Sequence, residues 1–197
     1  MNRIGVFFAE GYEEIEALTV VDLLRRADIQ ADMVSITAEK TVKGSHGIAV
    51  GMDQVLSEAD FGAFDGIVLP GGMPGTKNLE HCEELMKQVD AFVKDGKLVC
   101  AICAAPSILG HRGHLQGRKA TVYPGMEGEL TGAEWVADKA VTDGNIITAR
   151  GMGCAIAFGL AIIEKFKGEQ AADEMAQKAV CLLYTSPSPR DTERYRM

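Results

Sequence analysis

Short apolar runs alternate with longer amphipathic stretches along this chain, the pattern of strands alternating with helices. Apolar runs predict strands at residues 4–8, 31–36, 66–69, 97–102, 119–122 and 145–149, and a hairpin or bent strand pair at 41–50. Apolar positions at helical spacing predict helices at residues 13–27, 76–94 and 155–166, a short helix opened by Pro106, and a last helix after Gly168. This order predicts an α/β protein with a mostly parallel sheet covered by helices on both faces.

The chain of 197 residues suits a single domain, which we place at residues 1–183. The composition changes abruptly after this point. Residues 184–197 are polar, contain prolines and lack periodicity, which predicts a disordered tail. Because the tail resembles translated sequencing-adaptor read-through, we expect it to be non-native.

Charge and composition disfavour several classes of function. The formal net charge of −8 disfavours a nucleic-acid partner, which requires clustered Lys and Arg. No apolar run approaches the roughly 20 residues of a membrane span, and the N-terminus shows no signal peptide. The five cysteines are odd in number and irregular in spacing, which argues against a disulfide framework and favours a cytoplasmic protein.

Cys103 is the first candidate for chemistry, because ligands of parallel sheets bind at the carboxyl ends of the strands. It follows a predicted strand and precedes a helix, and the small residues Ala104 and Ala105 permit a sharp turn like a nucleophile elbow. A helix start favours the thiolate, which is the nucleophilic form of cysteine. The alternative is an unreactive cysteine in the core.

Glu16 and two glycines are predicted at the same edge of the sheet. Glu16 follows the first strand and is a candidate to exchange a proton with the thiol, although acidic residues in a first helical turn often only compensate the helix dipole. Gly71 and Gly72 follow another strand. They either form a turn or expose backbone N–H groups to a substrate oxygen, as in an oxyanion hole.

Three competing motifs carry less weight. Cys100 and Cys103 have a redox spacing, but residues three apart in a strand point to opposite faces, so we assign Cys100 to the core. Residues 151–153 resemble part of a dinucleotide fingerprint whose third glycine is missing. His111 and His114 have a ligand-like spacing, but neighbouring glycines indicate a surface turn, and we predict no metal site.

Four motifs together resemble the DJ-1 branch of the DJ-1/ThiJ/PfpI superfamily. They are FFAEGYEEIE at residues 7–16, LPGGMPG at 69–75, AICAAP at 101–106 and TARG at 148–151, and the resemblance spans about residues 3–180. The resemblance implies a flavodoxin-like three-layer sandwich that forms a homodimer. It also implies a site that needs no cofactor.

The resemblance also implies roles for individual residues. Cys103 matches the nucleophilic, oxidation-prone cysteine, and Glu16 matches a protonated pocket glutamate. Gly72 and Ala104 match positions whose backbone N–H groups face a bound oxyanion, and Gly71 adjoins them.

Two pocket positions depart from the animal members of the superfamily. Tyr123 stands where they have a histidine, and a tyrosine is a poor base near neutral pH. His46 stands where they have an arginine. With Arg150 of the fourth motif, these residues complete the expected substrate-binding set.

The expected function is that of a cysteine-dependent glyoxalase III or deglycase acting on small 2-oxoaldehydes such as methylglyoxal. The alternative is an oxidative-stress sensor or chaperone in which Cys103 is oxidised to the sulfinate. Peptidases of this superfamily need a histidine directly after the nucleophile. Because Ala104 occupies that place, we discount peptidase activity.

Overall fold

A computed structural model describes residues 2–181 of the chain, and the predicted disordered tail lies outside this range. The strands are β1 (Arg3–Phe8), β2 (Gln30–Ser35), β3 (Thr41–Lys43), β4 (Ala49–Gly51), β5 (Gln54–Val55), β6 (Gly66–Leu69), β7 (Leu98–Ile102), β8 (Lys119–Ala120), β9 (Glu134–Trp135), β10 (Ala140–Asp143) and β11 (Ile146–Ala149). The helices are α1 (Glu14–Arg26), α2 (Gly75–Glu80), α3 (Glu83–Lys94), α4 (Pro106–His111), α5 (Ala155–Lys167) and α6 (Glu169–Lys178).

Seven strands form the central sheet in the order β10-β11-β7-β6-β1-β2-β5. Every neighbouring pair is parallel except β10 and β11, which form an antiparallel hairpin at one edge. The mostly parallel sheet predicted from the sequence is therefore confirmed. Because β1, β6, β7 and β11 are adjacent and parallel, the segments that follow them meet at one edge of the sheet.

Helices cover both faces of the sheet, in the expected flavodoxin-like three-layer arrangement. On one face, apolar residues of α1, α5 and α6 form a core with the inward side chains of β1 and β7. On the other face, α3 and α4 bury their apolar residues against β6 and β7. The central strands are buried on both sides, which explains why they read as continuous apolar runs.

The structure differs from the sequence prediction between residues 76 and 94. The predicted single helix is interrupted, because Cys82 adopts an extended conformation (φ −79°, ψ 90°) and forms the N-cap of α3. Cys82 is half-buried and packs against the core on this face of the sheet.

The sequence prediction also needs correction near residue 120, where β8 pairs with β9 in a separate two-stranded sheet. The predicted strand at residues 119–122 stops at Ala120, because the N–H of Thr121 turns to donate to the hydroxyl of Thr148. Three strands were missed, namely β5, β9 and β10. Within residues 2–181, no helix combines the length and the apolar character needed to cross a membrane.

Candidate active site

Cys103 lies on a sharp turn directly after β7. Its φ is +64°, a left-handed conformation that is unusual for a non-glycine residue and concentrates at functional sites. Two neighbouring segments hold it there: its N–H donates to the carbonyl of Ala149 and its carbonyl accepts from the N–H of Tyr123, both at 2.9 Å. The structure thus places Cys103 at the strand-to-helix turn that the sequence predicted.

Glu16 points into the protein, although it belongs to the first turn of α1. Glu16 is only 1% exposed, and its Oε2 accepts a hydrogen bond from the N–H of Gly71 at 3.1 Å. Glu13 is the N-cap of α1 and accepts the N–H of Glu16 at 2.7 Å, which fixes the start of the helix. Glu16 is therefore not an exposed acid that merely compensates the helix dipole.

Cys103 and Glu16 are hydrogen-bonded to each other, and burial changes the pKa of both. Burial raises the pKa of Glu16 from 4.5 to about 7, although hydrogen bonds from Cys103 and Gly71 act in the opposite direction. Burial also raises the pKa of Cys103 to about 12, and the charge of Glu16 and their hydrogen bond add to this rise. The backbone N–H groups of Ala104 and Gly72 bond the sulfur and lower its pKa, but they do not outweigh burial.

The pair therefore holds a single proton between about pH 7 and pH 12. The position at a helix start predicted that Cys103 would ionise freely, but the structure indicates otherwise. Burial has the largest effect on the pKa of the thiol, and α4, with only six residues, does not offset it. A thiol beside a carboxylate and a thiolate beside a carboxylic acid differ only in the position of that proton, so Glu16 is placed to take the proton from the sulfur as it reacts.

Gly71 and Gly72 approach the pair through their backbones. A Cβ on Gly71 would lie 2.5 Å from both the Cβ of Cys103 and the Oε2 of Glu16, so no side chain fits there. The N–H of Gly71 is used by Glu16, which makes Gly71 a positioning residue for that carboxyl group. Gly72 has φ +92° and, with Ala104, directs its N–H at the sulfur.

Tyr123 forms the outer wall of the site and is half exposed (50%). Its ring lies 3.4 Å from the position that a Cβ on Gly151 would take, and that position is 3.8 Å from Oε1 of Glu16. Gly151 is thus a site residue, although the sequence analysis considered it only within the TARG motif and a partial dinucleotide fingerprint and gave it no role in the site. Arg150 precedes it, and the guanidinium Nη1 of Arg150 donates to the carbonyl of Ala137 at 3.4 Å.

His46 lies on the turn between β3 and β4 and bonds Glu14 instead of the thiol–carboxyl pair. Its backbone N–H and its Nδ1 lie 2.8 and 2.9 Å from the carboxylate oxygens of Glu14. Burial would raise the pKa of Glu14, but the hydrogen bonds from His46 and Ser45 lower it to about 2. Among the hydrogen bonds described for residues 2–181, none joins His46 to Cys103 or Glu16.

Within residues 2–181, one group of side chains has ligand atoms close enough to hold a metal ion. It consists of Glu13, Glu14 and His46, whose ligand atoms lie within 4.8 Å of one another. Glu14 already accepts hydrogen bonds from His46 and Ser45, and Glu13 accepts the N–H of Glu16. Hydrogen bonds within the protein therefore explain why these carboxylates lie close together.

Comparison with known proteins shows extensive similarity to one family. The model of the DJ-1/PfpI family matches residues 2–165. Protein dj-1beta of Drosophila melanogaster is 35% identical over 174 residues, which cover 87% of this chain and 93% of that protein. A Caenorhabditis elegans protein named glutathione-independent glyoxalase DJR-1.2 is 30% identical over 175 residues, covering 88% of this chain and 92% of that protein.

Two Arabidopsis thaliana relatives are longer than this chain. Protein DJ-1 homolog A is 38% identical over 187 residues and homolog B is 36% identical over 192 residues. These matches cover 93% and 96% of this chain but 47% and 43% of the relatives. The chain therefore spans somewhat less than half their length.

Solved structures show the same fold. A DJ-1 superfamily protein of Salmonella typhimurium superposes with a TM-score of 0.87 at 31% identity, covering 91% of this chain and 98% of that one. The crystal structure of Drosophila melanogaster DJ-1beta gives a TM-score of 0.86 at 34% identity, covering 91% of this chain and 97% of that one.

Proposed function

The chain belongs to the DJ-1/PfpI family, and from this premise we propose that it is a cysteine-dependent glyoxalase that converts small 2-oxoaldehydes to 2-hydroxy acids. The observation that carries the proposal is the buried carboxyl group of Glu16, hydrogen-bonded to the thiol of Cys103 on its strained turn. A nucleophile with an adjacent base is the minimal arrangement for covalent catalysis at a carbonyl. Methylglyoxal is a small substrate with the required adjacent carbonyls.

In the first step, the sulfur of Cys103 attacks the aldehyde carbon while Glu16 accepts the thiol proton. A C–S bond forms, and the carbonyl electron pair moves to oxygen. The backbone N–H groups of Gly72 and Ala104 are placed to stabilise that charge. Return of a proton to the oxygen gives a neutral hemithioacetal.

In the second step, Glu16 moves a proton from the aldehyde carbon to the neighbouring carbonyl carbon through an enediol. The aldehyde carbon is oxidised to a thioester and its neighbour is reduced to an alcohol, so no external oxidant or reductant is needed. Water then cleaves the thioester, regenerates the Cys103 thiol and releases lactate when the substrate is methylglyoxal. We assign both proton transfers to Glu16, whose carboxyl group is adjacent to the sulfur of Cys103.

The name of one relative supports this proposal, but a relative's name alone does not assign an activity to this chain. The C. elegans relative is named a glutathione-independent glyoxalase. Glutathione is the free thiol that other glyoxalases need, and here the protein's own Cys103 would supply that group. Release of an early glycated amine, as in a deglycase, would use the same attack by Cys103.

The test is lactate formation from methylglyoxal by the wild type and by Cys103→Ser. We expect the substitution to lower kcat/KM by at least about a hundredfold, because the hydroxyl is a far weaker nucleophile than the sulfur beside the same base. Cys82→Ser, a half-buried cysteine outside the site, is the matched control and should retain activity. Full turnover by Cys103→Ser would refute the mechanism.

Oxidation sensing is the second candidate, and the geometry around the sulfur favours it specifically. Glu16, Gly72 and Ala104 surround Cys103 with groups able to hydrogen-bond sulfinate oxygens. One solved relative is described as oxidized DJ-1 of Toxoplasma gondii. Mass spectrometry after mild peroxide should then find two added oxygen atoms on Cys103 and none on Cys82.

A further inference from the structure

A mostly apolar groove opens directly beside the candidate active site. Tyr123, Pro124 and Met152 contribute its apolar surface, while Lys139 and Arg150 place two cations along it. It is a wide, shallow groove of about 490 Å³ that is open to solvent. Methylglyoxal has only three carbon atoms and would leave this groove empty.

The inner end of the groove is continuous with the thiol–carboxyl pair. Tyr123 belongs to the groove, and its N–H donates to the carbonyl of Cys103 at 2.9 Å. Gly151, another groove residue, packs against the Tyr123 ring and lies beside Glu16. A substrate whose aldehyde reaches Cys103 can therefore extend its remaining atoms into the groove.

The two cations face each other across the ends of two antiparallel strands. Ala140 of β10 pairs with Ala149 of β11, so Lys139 and Arg150 form the next pair outward. The N–H of Arg150 donates to the carbonyl of Lys139 at 3.2 Å, which keeps the two backbones together. Like charges placed opposite each other on adjacent strands repel, and a bound anion would relieve this repulsion.

Neither cation is neutralised by a close carboxylate in the part of the chain that the structure describes. All the salt bridges found within residues 2–181 involve other side chains. The guanidinium of Arg150 has one long hydrogen bond, to the carbonyl of Ala137. Its charge contributes to the lowered pKa of Glu127, but the hydrogen bond from Gly125 contributes more.

We propose that the groove binds the non-reacting part of the substrate, and that this part is apolar and ends in a carboxylate. The apolar walls would hold an aromatic ring or an alkyl chain, and the flexible Met152 side chain adapts to its shape. Lys139 and Arg150 would pair with the terminal carboxylate. This inference rests on the proposed function, because the reacting aldehyde is placed at Cys103.

Three substrates separate the contributions of the groove: methylglyoxal, phenylglyoxal and 4-carboxyphenylglyoxal. We expect kcat/KM for the carboxylated compound to exceed that for phenylglyoxal by about two- to fivefold, the range expected for an exposed ion pair. Lys139→Gln should lower this ratio, and Arg150 should preserve part of the preference. Lys87→Gln makes the same change of charge on the exposed face of α3 and should keep the wild-type ratio. A wild-type ratio of one, or a ratio unaffected by Lys139→Gln, would overturn the proposal.

A binding measurement separates failure of the groove from failure of the chemistry. Calorimetry with Cys103→Ala protein and 4-acetylbenzoate, which lacks the aldehyde, should detect binding that Lys139→Gln weakens by about two- to fivefold. Such binding without turnover of any 2-oxoaldehyde would support the groove and refute the proposed function. Turnover without this binding would refute the groove alone. Binding that appears only after dilution to monomers would mean that a second copy covers the groove, and it would also refute the proposal.

Discussion

At the scale of single residues, the shared proton of Cys103 and Glu16 decides the chemistry of the site. Burial alone would leave a cysteine unreactive, because it raises the pKa of the thiol. The adjacent carboxylate of Glu16 restores reactivity, because it accepts the thiol proton at the moment the sulfur attacks. Reactivity then depends on the protonation state of Glu16 and does not require a preformed thiolate.

The pH dependence of turnover follows from this arrangement. Below about pH 7 Glu16 is protonated and cannot accept the thiol proton, so kcat/KM for methylglyoxal should rise as the pH increases through about 7. Above that pH it should remain level, because the second proton of the pair is lost only near pH 12. Initial rates from about pH 5.5 to 9 check this. A profile that is flat across pH 7, or a wild-type profile retained by Glu16→Gln, would contradict it.

At the scale of elements, the segment after β6 sets the distance between the nucleophile and its base. Gly71→Ala would place a Cβ 2.5 Å from atoms of both Cys103 and Glu16. Relief of this overlap must push the pair apart or displace the segment, so we expect at least a tenfold loss of kcat/KM and a loss of about 1–3 kcal/mol in stability.

The matched control for this change is Gly128→Ala. Gly128 has no atom within 4 Å of an added Cβ and lies away from the pair, so activity should be unchanged. Lactate assays and urea unfolding of both variants supply the comparison. Equal activity of the two variants would show that Gly71 does not set the spacing of the pair.

Elements with strong local signals were predictable from the sequence, and elements defined by tertiary contacts were not. The apolar runs of β1, β6 and β7 are long enough to read directly, because both of their faces are buried. The break at Cys82 was missed because helical spacing continues across it, and only the local φ and ψ reveal the new N-cap. The strand β10 is short and half exposed, so its pairing with β11 left no periodic pattern.

In the candidate active site, too, features with local sequence signals were predictable and those set by tertiary contacts were not. Cys103 and Glu16 could be placed together because strand ends in a parallel sheet meet at one edge. The rise in the pKa of Cys103 could not be predicted, since it depends on burial by distant segments. The bonding of His46 to Glu14 depends on how the β3–β4 hairpin docks on α1, which no local sequence pattern records.

At the scale of the whole molecule, the buried Glu16 couples stability to pH. Its pKa is 4.5 in an exposed state and about 7 in the fold, so folding takes up a proton between these values. The free energy of unfolding should therefore fall as the pH rises through this window. Glu16→Gln removes the cost of burying the charge and should gain up to about 3 kcal/mol over the wild type above pH 7.

Urea unfolding at about pH 4.5 and pH 8 tests this coupling. The stability difference between Glu16→Gln and the wild type should be small at the lower pH and large at the higher pH. Glu164→Gln, on the exposed side of α5, provides a control that should track the wild type at both values. A difference that does not change with pH would mean that Glu16 does not titrate in this window.

The two bonds that hold the backbone of Cys103 to neighbouring segments join main-chain groups, and this makes the site adaptable. The bond from position 123 to the carbonyl of Cys103 comes from a backbone N–H, so any residue except proline can make it. The side chain at that position can therefore be exchanged while the sulfur stays in place. Natural drift or a mutant library at Tyr123 could change which molecules are accepted without rebuilding the catalytic apparatus.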